Sequence, residues 1–194
     1  MRVTKQVMAE NNAKIVNEAS ILIREKGIEA TSVSDVMGAA GLTHGGFYRH
    51  FASKEELVNA AIDKSSDSMS SDLELDISQR GAVPAITDFV SMYLSKQHVS
   101  DPGSGCIIAA LSAEVDRGSK AHKERITKAS EHLVKVFSSA FIGSQKGKLT
   151  KAAGLLAILV GTLVLARSTT NPRFLEDVLA SGAQLAKSLI EEIS

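Results

Sequence analysis

Residues 13–60 have the sequence AKIVNEASILIREKGIEATSVSDVMGAAGLTHGGFYRHFASKEELVNA, which is the most informative part of the chain. Ile15, Ala19 and Ile23 recur at helical spacing. They predict a first helix from about Asn12 to Lys26, ended by a capping glycine, Gly27.

A second and a third helix follow within the same stretch. Ser32 and Asp35 have the spacing of a capping box, which predicts that the second helix starts there and ends at Gly41. A tight turn then leads to a short third helix through Phe47 and Phe51. Two short helices joined by a glycine-containing turn have the geometry of a helix-turn-helix, whose second helix enters the major groove of DNA.

The residues of the third helix suit contact with a nucleic acid. Thr43 and His44 lie at its start, where hydroxyl, imidazole and free backbone N–H groups can meet phosphates or base edges. The polar residues 48–50 are consecutive, and Arg49 is a candidate for guanine recognition. Lys54, in the first turn of the next helix, opposes the helix dipole, which a phosphate contact would explain.

The same stretch resembles the TetR family through REKG, ATSVSDV, AAGLT and GGFYRHFASKEEL. The resemblance covers about a quarter of the chain, and departs from the family pattern at Ile23 and Gly38. It implies a dimeric, all-helical regulator with an N-terminal DNA-binding domain, a ligand cavity among helices five to seven, and dimerisation through the last two helices. The residues that we predict to contact DNA are Ser32, Thr43, His44, Gly45, Gly46, Tyr48, Arg49, His50 and Lys54.

Composition limits where the protein acts. The formal net charge is zero, so any nucleic-acid site must be local. Cys106 is the one cysteine and cannot form an internal disulfide, which fits a cytoplasmic protein. Residues 1–10 contain no signal-peptide pattern, and the apolar run 152–166 is shorter than the about 20 residues of a membrane helix. We therefore expect a buried helix there, and no membrane partner.

The rest of the chain predicts about nine helices in all, without strands. We expect a DNA-binding domain over residues 1–52 and a helical regulatory and dimerisation domain over 53–194. Further helices are predicted from Ser53 to about Leu75 and over 82–98, 106–115, 120–141, 149–167 and 172–193, with a loop at 143–148. The helix over 149–167 is apolar on more than one face and needs two partners. The predicted dimer interface comprises Leu155, Leu159, Leu163, Leu175, Val178, Leu179 and Leu185.

The ligand prediction is an aliphatic and aromatic cavity that would hold an unknown small-molecule inducer. Its candidate residues are Phe89, Met92, Tyr93, Cys106, Ile108, Leu111, Val115, Leu133 and Phe137, each of which core packing explains equally well. Cys106 begins a helix after two glycines, where the dipole can lower a thiol pKa, so it is a candidate sensor of oxidants or electrophiles. A small buried cysteine is the competing interpretation.

The pattern contains no catalytic motif and no metal-ligand spacing, so we expect no enzyme, no cofactor and no metal. His122 and His132 are ten residues apart rather than three or four, and His98 is in another segment. Our leading hypothesis is a repressor released from its operator by a ligand or by cysteine modification. The alternatives are a ligand- or stress-responsive activator, a nucleoid-type DNA binder, and an enzyme or interaction module on the same fold.

Overall fold

The computed structural model of the protein describes residues 4–191, and in this range it contains nine α-helices and two short 3-10 helices. The all-helical prediction is therefore confirmed. The α-helices are α1 (Lys5–Lys26), α2 (Val33–Ala39), α3 (Lys54–Arg80), α4 (Ala82–Tyr93), α5 (Lys96–Ser100), α6 (Ile107–Val115), α7 (Lys120–Ser138), α8 (Gln145–Arg167) and α9 (Pro172–Glu191). The 3-10 helices are His44–Arg49 and Pro102–Ser104.

Two helices are longer than the sequence predicts. Helix α1 begins at Lys5 rather than near Asn12, because the Thr4 hydroxyl caps it by accepting from the backbone N–H of Val7. Helix α3 continues through the Ser- and Asp-rich segment to Arg80, where Gly81 follows with φ +88°. Serine hydroxyls in this segment donate to carbonyls three residues back, which satisfies them within the helix.

Other boundaries also differ from the prediction. The segment 82–98 is two helices, because Ser95 caps α5 by accepting from the N–H of His98. Ser144 likewise caps α8, which begins inside the predicted loop 143–148. Helix α7 ends at Ser138 rather than residue 141, and the predicted last residue of α9, 193, lies outside the described residues.

The chain divides into two compact units. The first, called the head unit here, comprises residues up to Ser66 with Pro102–Ile126, and the second, the bundle unit, comprises Asp67–Asp101 with the residues from Thr127 onwards. Helices α3 and α7 contribute to both units. Since a contact-based division does not test a functional one, the boundary between 1–52 and 53–194 stays a prediction.

The bundle unit is held together mainly by the packing of α8 against α9. The two helices are in close contact at Gly182, where an added Cβ would lie 2.6 Å from Cγ2 of Thr162. Leu155, Leu159 and Leu163 of α8 are completely buried. Helix α8 is long and apolar enough, by length and composition alone, to cross a membrane, a test that a buried core helix also passes.

Candidate nucleic-acid interface

The helix-turn-helix begins with the predicted capping box. The Ser32 hydroxyl accepts from the N–H of Asp35 at 3.1 Å, and the Asp35 carboxylate accepts from the N–H of Ser32 at 3.1 Å. The Ser32 hydroxyl also donates to the Asp35 carboxylate at 2.7 Å, and this bond, together with the one from the Ser32 N–H, favours the charged carboxylate and lowers the pKa of Asp35 below its usual value. The predicted cap at Gly27 is also confirmed, since its φ is +87° and its N–H donates to the Ile23 carbonyl.

The turn brings the second half of the motif back onto α2. Gly41 has a φ of +71°, a conformation that L side chains rarely adopt, and the N–H of Leu42 donates to the Met37 carbonyl at 2.9 Å. The segment that follows is a 3-10 helix over His44–Arg49, which ends before Phe51, rather than the helix predicted through Phe51. Two consecutive glycines, the weakest helix formers after proline, explain why no longer α-helix forms.

Phe47 anchors this 3-10 helix in the head unit. Its side chain is 1% exposed, and its ring stacks on that of Phe51 at a centroid distance of 5.8 Å. The neighbouring ring of Tyr48 packs edge-on against Phe47 at 5.2 Å, yet the Tyr48 side chain is 73% exposed. The anchor thus fixes the backbone while the residues beside it face outward.

The outward groups are polar and have no side-chain hydrogen-bond or ion-pair partner among the described residues. They are Thr43, His44, Tyr48 and Arg49, all exposed, and half-buried His50. Gly45 is exposed too, and an added Cβ there would have no neighbour within 4 Å. These unpaired donors can bind a surface rich in hydrogen-bond acceptors. Such a surface can approach the backbone closely at Gly45, where no side chain intervenes.

Three predicted contact residues differ from that set. Ser32 already uses its hydroxyl with Asp35, to which it also donates at 2.7 Å. Lys54 is half-buried, and its ammonium donates to the Glu29 carbonyl at 3.4 Å. Gly46 is half-buried, because an added Cβ would lie 3.6 Å from Met37 Cε.

Helix α6 is tied to the loop between α1 and α2 by one carboxylate. Glu114 accepts from the backbone N–H of Ile28 at 3.0 Å and from that of Glu29 at 2.9 Å. A separate bond links α1 to the 3-10 helix Pro102–Ser104, since the Nε of Arg24 donates to the Gly103 carbonyl at 2.7 Å. The role of Glu114 could not be predicted, because a glutamate 86 and 85 residues from its partners Ile28 and Glu29 gives no local sequence signal.

The helix-turn-helix is similar to that of a known protein family. Residues 15–61 match the family model described as bacterial regulatory proteins, tetR family. The helix-turn-helix over these residues is therefore that of the TetR family. It is 28% identical over 149 residues to the HTH-type transcriptional repressor DhaR of Mycobacterium sp. (strain GP1), which is 74% of this chain and 73% of DhaR.

The likeness extends beyond the motif. The solved structure of reduced E. coli NemR has a TM-score of 0.73 and 22% identity, covering 89% of this chain and 95% of NemR, and it shows a shared TetR fold. An HTH-type regulator of Mycobacterium tuberculosis is 27% identical over 125 residues, which is 64% of this chain and 62% of that relative's length.

The residues predicted to line a ligand cavity lie in both units. Cys106, Ile108, Leu111 and Val115 belong to the head unit, and Phe89, Met92, Tyr93, Leu133 and Phe137 to the bundle unit. Within the bundle unit, the ring of Phe89 lies 5.6 Å from those of Tyr93 and Phe137, an aromatic cluster of the core. Met92 is 50% exposed, so solvent reaches about half of its surface. A ligand role for all nine residues stays a prediction.

Cys106 occupies the N-cap position of α6, as predicted, but its side chain is only 1% exposed. It is not part of a disulfide. Burial keeps a reagent from reaching the sulfur until the surrounding side chains move.

The last two helices expose only some of the residues predicted for the dimer interface. Leu155, Leu159, Leu163 and Leu179 are buried inside the bundle unit, which corrects their assignment to a dimer interface. Of the predicted residues, Leu185 is exposed, while Leu175 and Val178 are half-buried. The large apolar side chains that α8 and α9 expose are Leu149, Val164, Leu165, Phe174 and Leu185.

The three histidines that a metal hypothesis would use are separated in the structure. The Nδ1–H of His98 donates to the Tyr93 carbonyl at 2.6 Å, and the Nε2 of His132 lies 3.3 Å from Glu74. Burial lowers the pKa of His98 and that of His122. Among the residues that the structure describes, no group of three His, Cys, Asp or Glu side chains could hold a metal ion.

Proposed function

We propose that this chain is a homodimeric, cytoplasmic repressor that binds operator DNA through its helix-turn-helix and leaves it when an effector acts. The observation that carries the proposal is the set of unpaired, exposed donors held by Phe47 on the 3-10 helix His44–Arg49. Such donors match the phosphate oxygens and base edges of a major groove. DhaR, a relative over most of its length, is itself named a repressor.

Each outward residue then has a role in the proposal. Arg49 donates to a guanine edge, while Tyr48, His50 and Lys54 donate to phosphates. Gly45 lets the backbone come close to the duplex, since no Cβ intervenes there. The functional DNA-binding domain ends near residue 52, and the remaining helices regulate it.

Dimerisation follows from the exposed apolar side chains of α8 and α9. Phe174, Val178, Ser181 and Leu185 are spaced four, three and four residues apart, so they form one stripe along α9, with Phe174 45% and Leu185 59% exposed. Val164 adds an apolar residue that is 44% exposed on α8. We propose that a second copy covers this surface, which sets two 3-10 helices against half-sites about 34 Å apart or a multiple of that distance.

Release by a reversible ligand is the first route, because an effector that prefers the non-binding state shifts the equilibrium away from DNA. Modification of Cys106 is the second route, favoured by its place at the start of the helix that carries Glu114. The two routes separate in one comparison. If Cys106→Ser protein still leaves DNA on treatment with N-ethylmaleimide, the cysteine is not the sensor.

An activator that uses the same DNA-binding motif is the alternative. A reporter gene placed behind the selected operator separates the two, since deletion of a repressor raises expression and deletion of an activator lowers it.

Binding-site selection tests the proposal itself. Purified protein is mixed with a random duplex library, and bound sequences are recovered over several rounds at near-physiological salt. We expect an inverted repeat with half-sites separated by about one helical turn or a multiple of it. Recovery of no enriched sequence would overturn the proposal, and enrichment of a single half-site would overturn its dimeric form.

A further inference from the structure

The head unit contains a half-open cavity of about 550 Å³, in the range of small-molecule sites. Buried Ile28, Val58 and Val115 supply its apolar surface. Its remaining lining residues are Glu29, Lys54, Glu55, Glu114, Arg117, Gly118, Ser119 and His122. Apart from Val115, this lining is distinct from the residues predicted above for a ligand, and Lys54 belongs to the proposed DNA interface.

The charges around the cavity are unequally satisfied. The Glu114 carboxylate accepts two backbone N–H groups, and the Glu55 carboxylate accepts the Ser119 hydroxyl. In contrast, neither Lys54 nor Arg117 has an ion-pair partner among the described residues. Two of three carboxylates are therefore occupied by the protein's own donors, whereas neither cation is paired with an anion and Lys54 makes only a 3.4 Å hydrogen bond to the Glu29 carbonyl.

We propose that this cavity binds a small organic carboxylate with an apolar body, its anionic group between Lys54 and Arg117 and its body on Ile28, Val58 and Val115. A carboxylate accepts from an ammonium and from a guanidinium by charge-assisted hydrogen bonds, the stronger kind in proteins. The apolar lining gains from covering by a hydrocarbon or aromatic body.

The site has a regulatory consequence, which rests on the proposed function. Lys54 cannot give its ammonium fully to a bound carboxylate and to a DNA phosphate at once. Occupation of the cavity therefore lowers the affinity for the operator, and by thermodynamic reciprocity DNA lowers the affinity for the carboxylate. The cavity makes the carboxylate a candidate effector that acts at the DNA-binding residues themselves.

Three probes of nearly equal shape test the site without DNA: phenylpropionate, its neutral amide, and the matching phenylpropylamine. Calorimetry and methyl NMR with labelled Ile and Val follow their binding to the full-length protein. We expect saturable binding of phenylpropionate, with methyl shifts centred on Ile28, Val58 and Val115, and binding of the amide and amine that is at least about tenfold weaker. Equal binding of the three probes, shifts centred elsewhere, or no binding of phenylpropionate would overturn the proposal.

Substitution of a cavity cation distinguishes a specific contact with the carboxylate from a general effect of the protein's charge. Arg117→Gln removes an exposed cation, so folding is not at risk, and it should weaken phenylpropionate binding about ten- to a hundredfold. Lys128→Gln removes an equal charge from an exposed site on α7 that does not line the cavity, and it should change nothing. Equal binding of phenylpropionate by wild type and Arg117→Gln would refute the assignment of Arg117 as a contact of the carboxylate.

A second assay measures the consequence for DNA. Phenylpropionate should weaken binding of wild-type protein to the selected duplex, whereas Arg117→Gln protein should bind that duplex normally and respond little. If neither protein binds any duplex, the proposed function fails while the direct binding assay still decides the site. If the duplex is bound but phenylpropionate releases neither protein or both equally, the regulatory consequence fails alone.

Discussion

Removal of the Glu114 carboxylate tests how much its hydrogen bonds to the loop after α1 stabilise the fold. Glu114→Ala leaves two backbone donors without their acceptor, those of Ile28 and Glu29. The Glu29 bond is exposed, so water replaces it at little cost, but the Ile28 bond is part-buried. An unsatisfied buried donor costs about 1–3 kcal/mol, so we expect the free energy of unfolding to fall by about 2 kcal/mol.

The measurement is urea unfolding at one fixed protein concentration, because dimer formation would make stability concentration-dependent. A loss of about 2 kcal/mol corresponds to a lower thermal midpoint by about 4–8 °C. Glu114→Gln keeps an acceptor oxygen and should lose about half as much free energy. Glu124→Ala is the control, because Glu124 is exposed and pairs only with Lys120 at 3.6 Å. A loss below about 0.5 kcal/mol for Glu114→Ala, or an equal loss for Glu124→Ala, would refute the reasoning.

Three further predictions concern packing, assembly and pH. Gly182→Ala should destabilise the protein by about 2 kcal/mol in urea unfolding, since the new Cβ would lie 2.9 Å from the Cβ of buried Thr162. Gly154→Ala is the control, because its added Cβ would have its nearest neighbour at 3.9 Å, and it should be neutral or stabilising. Equal effects of the two substitutions would contradict the close approach of α8 and α9. Leu185→Glu should convert the dimer to a monomer in analytical ultracentrifugation with helical content unchanged, and a stable dimer would exclude this face. Burial lowers the pKa of His122, so the folded state resists its protonation and the free energy of unfolding should fall as pH drops below about 6.5. His122→Gln should reduce this decline with pH, and an unchanged slope would mean that other groups cause the decline.

The sequence predicted the helix-turn-helix well because its signals are local. A capping box needs only Ser32 and Asp35, and a helix end needs only Gly27 with a positive φ. The extension of α3 was missed because its Ser-rich segment looks like a loop by composition. In the structure those hydroxyls bond to carbonyls of the same helix.

The remaining features depend on distant parts of the chain. The cavity combines residues from the loop after α1, the start of α3, the end of α6 and the segment that leads into α7, and no periodicity relates Ile28 to Arg117. The dimer prediction chose buried leucines of α8, because an apolar residue looks the same in sequence whether the subunit's own core or a second subunit covers it. Exposure of Phe174 and Leu185 distinguishes the two cases.

The most direct test of the account is a titration of the selected duplex, followed by fluorescence anisotropy across a salt series. For wild-type protein, the logarithm of the binding constant should fall steeply and linearly with the logarithm of the salt concentration. Arg49→Gln should bind about 5- to 150-fold more weakly, whereas Arg173→Gln, which removes an exposed arginine of α9, should bind like wild type. Equal affinity of Arg49→Gln and wild type, or a binding curve indifferent to salt, would contradict the assignment of the 3-10 helix as the DNA-reading element.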